Sequence, residues 1–209
     1  MKTRKAVSIW LLVLLLLTSP RLTIRADAAD GSEALMQAIA SNQDVETIEQ
    51  LLEAGVNIDA KNADGLTSLM LAARWCDDPE VFRMLLGAGA DVNERDPLGE
   101  TALMMAVQSI RSPSIIDALL EAGAEVNAAN QDNQTALFLA VSPCSNLEII
   151  QPLLAAGANT NVEDHSGVTP LLRAIIFDND LDVLETLICA GADVNLKNRY
   201  YYSPLFIAA

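Results

Sequence analysis

Residues 85–93 have the sequence Leu-Leu-Gly-Ala-Gly-Ala-Asp-Val-Asn, and close copies of it occupy residues 119–127, 153–161 and 187–195. A looser copy precedes them, so five glycines are spaced 34 residues apart: Gly55, Gly89, Gly123, Gly157 and Gly191. Three other columns keep the same period: Thr67, Thr101, Thr135, Thr169 and Ser203; Leu69, Leu103, Leu137, Leu171 and Leu205; Ala72, Ala106, Ala140, Ala174 and Ala208. A fixed period of this length predicts a solenoid of stacked, near-identical units. Such a stack offers surfaces rather than a catalytic cleft.

The first half of one unit, residues 62–75, has the pattern of a turn followed by a short helix. Asn and Gly at residues 62–65 are typical of a turn, and Thr67 is placed to cap the free backbone N–H groups of a helix. Leu69, Ala72 and Ala73 then lie at positions i, i+3 and i+4, which makes one apolar stripe. The small alanines allow a neighbouring helix to pack closely.

The second half of the unit has the pattern of another helix. Asp78 is a favoured N-cap residue and Pro79 fits the first helical position, while Gly89 is typical of a helix C-terminus. We predict Val81, Leu85 and Leu86 as its buried stripe. The same N-cap column contains Asp44, Asp78, Ser112, Asn146 and Asp180.

These segments resemble the ankyrin repeat. The family's Gly-x-Thr-Pro-Leu opening stands here as Gly65-Leu66-Thr67-Ser68-Leu69 and Gly167-Val168-Thr169-Pro170-Leu171, and its Gly-Ala-Asp-Val-Asn ending stands at residues 89–93. The resemblance implies an all-α solenoid of stacked helix-turn-helix units with projecting β-turn fingers. Two columns depart from the family: the usual Pro is Ser68, Ala102 and Ala136, and the usual His is Met70, Met104, Phe138 and Leu172. Apolar residues at the second column predict extra packing in place of a hydrogen-bonded turn.

The period divides the chain into a leader and a repeat domain. We predict a signal peptide over residues 1–28 and an ankyrin repeat domain over residues 29–209. The domain comprises an irregular first repeat at 31–61, four full repeats at 62–95, 96–129, 130–163 and 164–197, and a partial repeat at 198–209. The first repeat is expected to act as an N-terminal cap.

The leader has a basic start, Lys2, Arg4 and Lys5, an apolar run from Ile9 to Leu17, and a small-x-small cleavage site at residues 26–28. This layout predicts export to the periplasm or secretion, with a bacterial origin suspected. The alternative is an uncleaved anchor, although the run is shorter than the roughly 20 residues of a membrane-spanning helix. One observation argues against export. We expect no intramolecular disulfide among Cys76, Cys144 and Cys189, and free thiols fit poorly in an oxidising compartment.

The net charge points to the kind of partner. Removal of residues 1–28 takes away five of the 13 basic and one of the 28 acidic side chains, which leaves a net charge of −19. A surface this acidic repels nucleic acid and steers towards basic partners, although the charge could simply keep an apolar stack soluble. After cleavage no membrane span is expected.

Catalytic, metal and cofactor motifs are missing from the sequence. His165 is the one histidine, and it falls in a projecting turn, where an ordinary exposed role outweighs that of a pH-sensitive contact. The cysteines have neither CxxC spacing nor a neighbouring base, and every glycine has a turn or cap role. We therefore expect no enzyme activity, no small-molecule substrate, and neither a cofactor nor a metal site.

The expected function is a protein–protein interaction module that binds its partner through fingers and a concave groove, as the resemblance implies. The predicted contact residues are Trp75, Leu98, Glu100, Asp132, Tyr200 and Tyr202. For Trp75 and for Phe177, which shares its column, packing in the core against the second helix is favoured over exposure. For the tyrosines, cover of a following repeat is the alternative. A second hypothesis treats the chain as the N-terminal part of a longer enzyme, effector or toxin, because residues 203–209 stop inside a predicted helix.

Overall fold

The computed structural model describes residues 31–109, 112–143, 145–177 and 180–208, and the predicted signal peptide lies outside them. Two kinds of helix alternate along this part of the chain. The first helices of the units are α1 (Ser32–Ala40), α3 (Ser68–Trp75), α5 (Ala102–Ser109), α7 (Ala136–Ala140), α9 (Pro170–Ile176) and α11 (Pro204–Ala208). The second helices are α2 (Val45–Glu53), α4 (Pro79–Gly87), α6 (Pro113–Glu121), α8 (Leu147–Ala155) and α10 (Leu181–Cys189).

The helices form two layers that run along the stack. Each first helix contacts the first helix of the next unit and the second helix of its own unit, and the second helices contact each other in the same order. Helices are the only regular secondary structure in the described ranges. The predicted all-α solenoid is therefore confirmed.

The core lies between the two layers and continues from unit to unit. The column that departs from the family's histidine is buried throughout, with exposures of 0 to 1% for Met70, Met104, Phe138 and Leu172. On the second helix, Val81, Phe82 and Leu85 are buried, whereas Leu86 is only partly buried. The predicted stripe was therefore incomplete, since it left out Phe82, and Leu86 packs at the edge of the core.

Side-chain caps fix where the helices begin. The hydroxyls of Thr67, Thr101, Thr135 and Thr169 each accept the backbone N–H three residues on. Among the second helices, Asp44, Asp78 and Asn146 cap as predicted. Ser112 and Asp180 make no cap bond. Both residues stand at the predicted N-cap position without the expected side-chain bond. The Ser112 hydroxyl lies 2.9 Å from that of Ser114 instead.

A ladder of side-chain bonds joins the units near the end of each second helix. Asn93, Asn127 and Asn161 each donate Nδ2–H to a glycine carbonyl of the next unit, at 3.0–3.1 Å. The Oδ1 atom of each also accepts a backbone N–H of that unit, at 2.7–2.8 Å. Asp59 occupies the first rung and makes only the second kind of bond, to the N–H of Asp91. The rungs hold neighbouring units in one fixed orientation.

Candidate interaction surface

Five projecting turns, the fingers, occupy residues 62–66, 96–100, 130–134, 164–168 and 198–202. Each begins with Asn or Asp, whose Oδ1 accepts the backbone N–H groups two and four residues on; these residues are Asn62, Asp96, Asn130, Asp164 and Asn198. A backbone bond then closes each turn from its first N–H to its last carbonyl, at 3.0 Å. Sequence reasoning missed this column, although its period of 34 makes it visible. The fingers are thus rigid before any partner binds.

Neighbouring fingers are also bonded to each other. The N–H groups of Gln131, His165 and Arg199 donate to carbonyls of the preceding finger at 2.9, 3.2 and 3.2 Å. At the first junction Pro97 has no N–H, and its ring packs against Gly65 instead. The side chains of Gln131 and His165 add bonds of 2.7 Å to carbonyls of the preceding finger. The exposed His165 therefore has a structural role between fingers.

The fourth residue of each finger has a left-handed backbone. Glycine fills this position in three fingers, and Asn133 has φ 59°. Tyr201 has φ 65°, and for a bulky residue this conformation costs roughly 1–2 kcal/mol. The last finger therefore contains strain that the others avoid.

Trp75 and Leu98 are large apolar side chains that are exposed, at 64% and 58%. Trp75 ends α3, and Leu98 lies on the next finger. The favoured interpretation of Trp75 as a core residue is wrong, because the C-cap Cys76 turns into the core in its place. Phe177, in the same column as Trp75, is partly covered.

Arg173 covers one side of Phe177. Its guanidinium carbon lies 4.8 Å from the centre of that ring and 4.6 Å from the centre of the Phe138 ring, so two aromatic faces hold the charge. Its Nε donates to the carbonyl of Val141 at 2.6 Å. Burial lowers the pKa of Arg173 from its usual value, and the charge of Asp164 opposes that change. A fixed cation thus lies beside this part of the surface.

Glu100 joins the base of its finger to two first helices. Its carboxylate lies 4.0 Å from the guanidinium of Arg74 on α3 and 3.5 Å from the amide of Gln108 on α5. The Glu100 side chain is only 13% exposed. Among the predicted contact residues it is the one placed to orient Arg74, beside Trp75.

The other predicted contact residues lie on the third and the last finger. Asp132 is exposed on the third finger. On the last finger Tyr200 is 73% exposed, while Tyr202 stacks on Phe206 of α11 with ring centres 5.0 Å apart. We name residues 197–202 the tyrosine finger.

The thiols that the structure describes are Cys76 and Cys189, and both are free. Burial raises the pKa of the Cys76 thiol, whereas Cys189 is exposed on α10. Cys144 lies outside the described residues. Within the described ranges, no group of His, Cys, Asp and Glu is arranged to hold a metal ion, and every helix there is too short or too polar to cross a membrane.

Comparison with known proteins gives one family. A search of curated proteins finds no match to this chain. A family model described as ankyrin repeats (three copies) matches residues 8–96, 35–130 and 103–198, which together span most of the sequence. With the capped helix pairs and projecting fingers described above, this match shows that the chain belongs to the ankyrin repeat family.

Proposed function

We propose that this chain is an exported, acidic scaffold without catalytic activity, which binds a protein partner through its fingers and groove. Ankyrin repeats generally mediate protein–protein interaction, and their domains are typically non-catalytic. The observation that supports the proposal most directly is the exposure of Trp75 and Leu98, with Leu98 on a finger whose backbone is hydrogen-bonded to the next finger. A rigid surface loses little conformational freedom when it binds.

Trp75 and Leu98 are the proposed anchors of this contact, since a buried aromatic or aliphatic side chain supplies most of the affinity in many interfaces. Arg74, oriented by Glu100, supplies a charged neighbour to Trp75. Asp132 supplies an acidic tip, and Tyr200 and Tyr202 extend the contact to the last finger. The acidic surface favours a partner with basic groups near the groove and disfavours nucleic acid.

Substitution of the anchors tests this proposal. Affinity capture from a native cell-envelope extract would compare wild type with the double variant Trp75→Ala/Leu98→Ala, by quantitative mass spectrometry. We expect a retained protein whose yield falls at least tenfold with the variant, while thermal stability is unchanged because both side chains are mostly exposed. Leu181→Ala, which removes a 73% exposed side chain on α10, is the matched control and should retain full yield. Equal yields from all three proteins would refute the assignment.

Export is the second part of the proposal, and the pattern of residues 2–28 supports it. N-terminal sequencing of the protein purified from its source cells should give a mature start at or near residue 29, in the periplasmic or extracellular fraction. Recovery of the intact N-terminus from the cytosol would contradict export and leave the binding function standing.

A further inference from the structure

The end of the chain has the opposite charge to the rest of the repeat domain. Residues 194–209 contain Lys197 and Arg199 and no acidic residue, whereas residues 31–193 contain 6 basic and 26 acidic side chains. Lys197 and Arg199 are both exposed. Neither makes an ion pair with the residues that the structure describes. The tyrosine finger therefore carries two cations and no acidic residue on an otherwise acidic molecule.

Aromatic surface accompanies this charge. Tyr200 and Tyr201 are 73% and 82% exposed and follow Arg199 directly in the sequence. Tyrosine contributes large contact area with a polar end, and with arginine it is enriched among residues that dominate binding. The tyrosine finger can therefore hold both a charged group and the apolar stem that carries it.

Tyr201 stands in the column where three other fingers have glycine. At Gly65 and Gly167 an added Cβ would lie 2.6 and 2.9 Å from atoms of the following finger. Asn133, in the same column, donates its side-chain amide to the carbonyl of Glu163, at 2.6 Å. The Tyr201 side chain is 82% exposed.

We propose that the tyrosine finger binds an acidic segment of the protein partner. This proposal rests on the proposed function and specifies the chemistry of one contact. Carboxylates would pair with Arg199 and Lys197 while their neighbouring side chains pack on Tyr200 and Tyr201. The finger is preformed, because Oδ1 of Asn198 accepts two N–H groups and the Arg199 N–H donates to Ser166. Nucleic acid would need a longer run of cations than this surface offers, so a short acidic peptide is the better match.

An unbiased peptide selection tests this chemistry. A phage-displayed library of random twelve-residue peptides would be selected on the full-length chain. The bound phage would then be eluted with an excess of wild type or of the double variant Lys197→Ala/Arg199→Ala. We expect peptides eluted only by wild type to contain at least twice the Asp and Glu content of the library. Elution of peptides with neutral or basic composition alone would overturn the proposal, as would a failure to recover any peptide that depends on the two cations.

Titration of a selected acidic peptide by fluorescence anisotropy then locates the contact. We expect binding at least tenfold weaker for Lys197→Ala/Arg199→Ala and for Tyr200→Ala/Tyr201→Gly. Arg83→Ala, which removes an exposed cation of α4, should bind as wild type does. Unchanged affinity in either finger variant would overturn the proposal, as would tighter binding of a DNA duplex or anionic vesicles at the same finger. Capture of the partner through Trp75 and Leu98 is measured separately, so failure here leaves the proposed function testable.

Discussion

Ser68 is a buried polar residue in a column that is otherwise apolar. Its column contains Ala102, Ala136 and Pro170, and its own hydroxyl is fully buried without a hydrogen-bond partner. A buried hydroxyl without a partner lowers stability, so Ser68→Ala should raise the free energy of unfolding by about 1 kcal/mol. Urea denaturation of the two proteins measures this. As a control, Thr67→Ala removes the adjacent helix cap and should lower the free energy of unfolding by about 1 kcal/mol. If Ser68→Ala also lowers the free energy of unfolding, the Ser68 hydroxyl has a hydrogen-bond partner and the prediction fails.

Asp44 should make stability depend on pH at the start of α2. Its carboxylate accepts the backbone N–H and the hydroxyl of Thr47, both at 2.8 Å, and these bonds lower the pKa of Asp44. A lowered carboxyl pKa contributes stability above the unfolded pKa and loses it as the pH falls through the folded pKa. Asp44→Ala should therefore be less stable than wild type at pH 7, with a gap that narrows below about pH 4. Thermal melts of both proteins across this pH range measure the gap. A difference in melting temperature that stays constant with pH would contradict the prediction and assign the effect to packing.

Helix α8 contains a proline where its counterpart α6 has alanine. Pro152 lies inside α8, so it has no N–H to donate to the carbonyl of Glu148, whereas Ala118 at the same position of α6 has one. A proline in a helix interior costs about 3 kcal/mol. Pro152→Ala should raise the free energy of unfolding by about 2–3 kcal/mol in chemical denaturation, and Ala118→Pro should lower it by at least that much. Equal stability of wild type and Pro152→Ala would mean that the packing of the proline ring compensates for the missing bond.

Helix positions and turns could be predicted from the sequence because they depend on local chemistry that repeats every 34 residues. The threonine caps, the buried column of Met70 and Phe138, and the order of the units follow from that pattern. The absence of a cap bond at Ser112 and Asp180 could not be predicted, because a residue type allows such a bond without fixing the side-chain rotamer. The exposure of Trp75 depends on which of two adjacent residues, Trp75 or Cys76, turns inwards, and the period does not determine that. Left-handed backbone positions are usually recognised by a glycine or an asparagine, and Tyr201 is neither.

The ladder of asparagines couples the units along the whole molecule, and Asp59 is its incomplete rung. A carboxylate has no N–H to donate, so the carbonyl of Gly89 lacks the bond that Asn93 gives to Gly123. Asp59→Asn should add this bond and raise the free energy of unfolding by about 1 kcal/mol, measured by urea denaturation. Asn127→Asp makes the reverse change in the middle of the stack and should lower it by a similar amount. If both variants match wild type, the ladder orients the units without stabilising them.

Bonds between successive fingers have a consequence for distance as well as for rigidity. Each unit advances the surface by the same step, about 8–10 Å for packed helices, so the separation between Trp75 and the tyrosine finger is fixed as a number of units. Distances along the surface therefore come in whole multiples of one repeat step. A partner must present its complementary groups at that spacing. Gain or loss of one unit would change the required distance between those groups by one whole step.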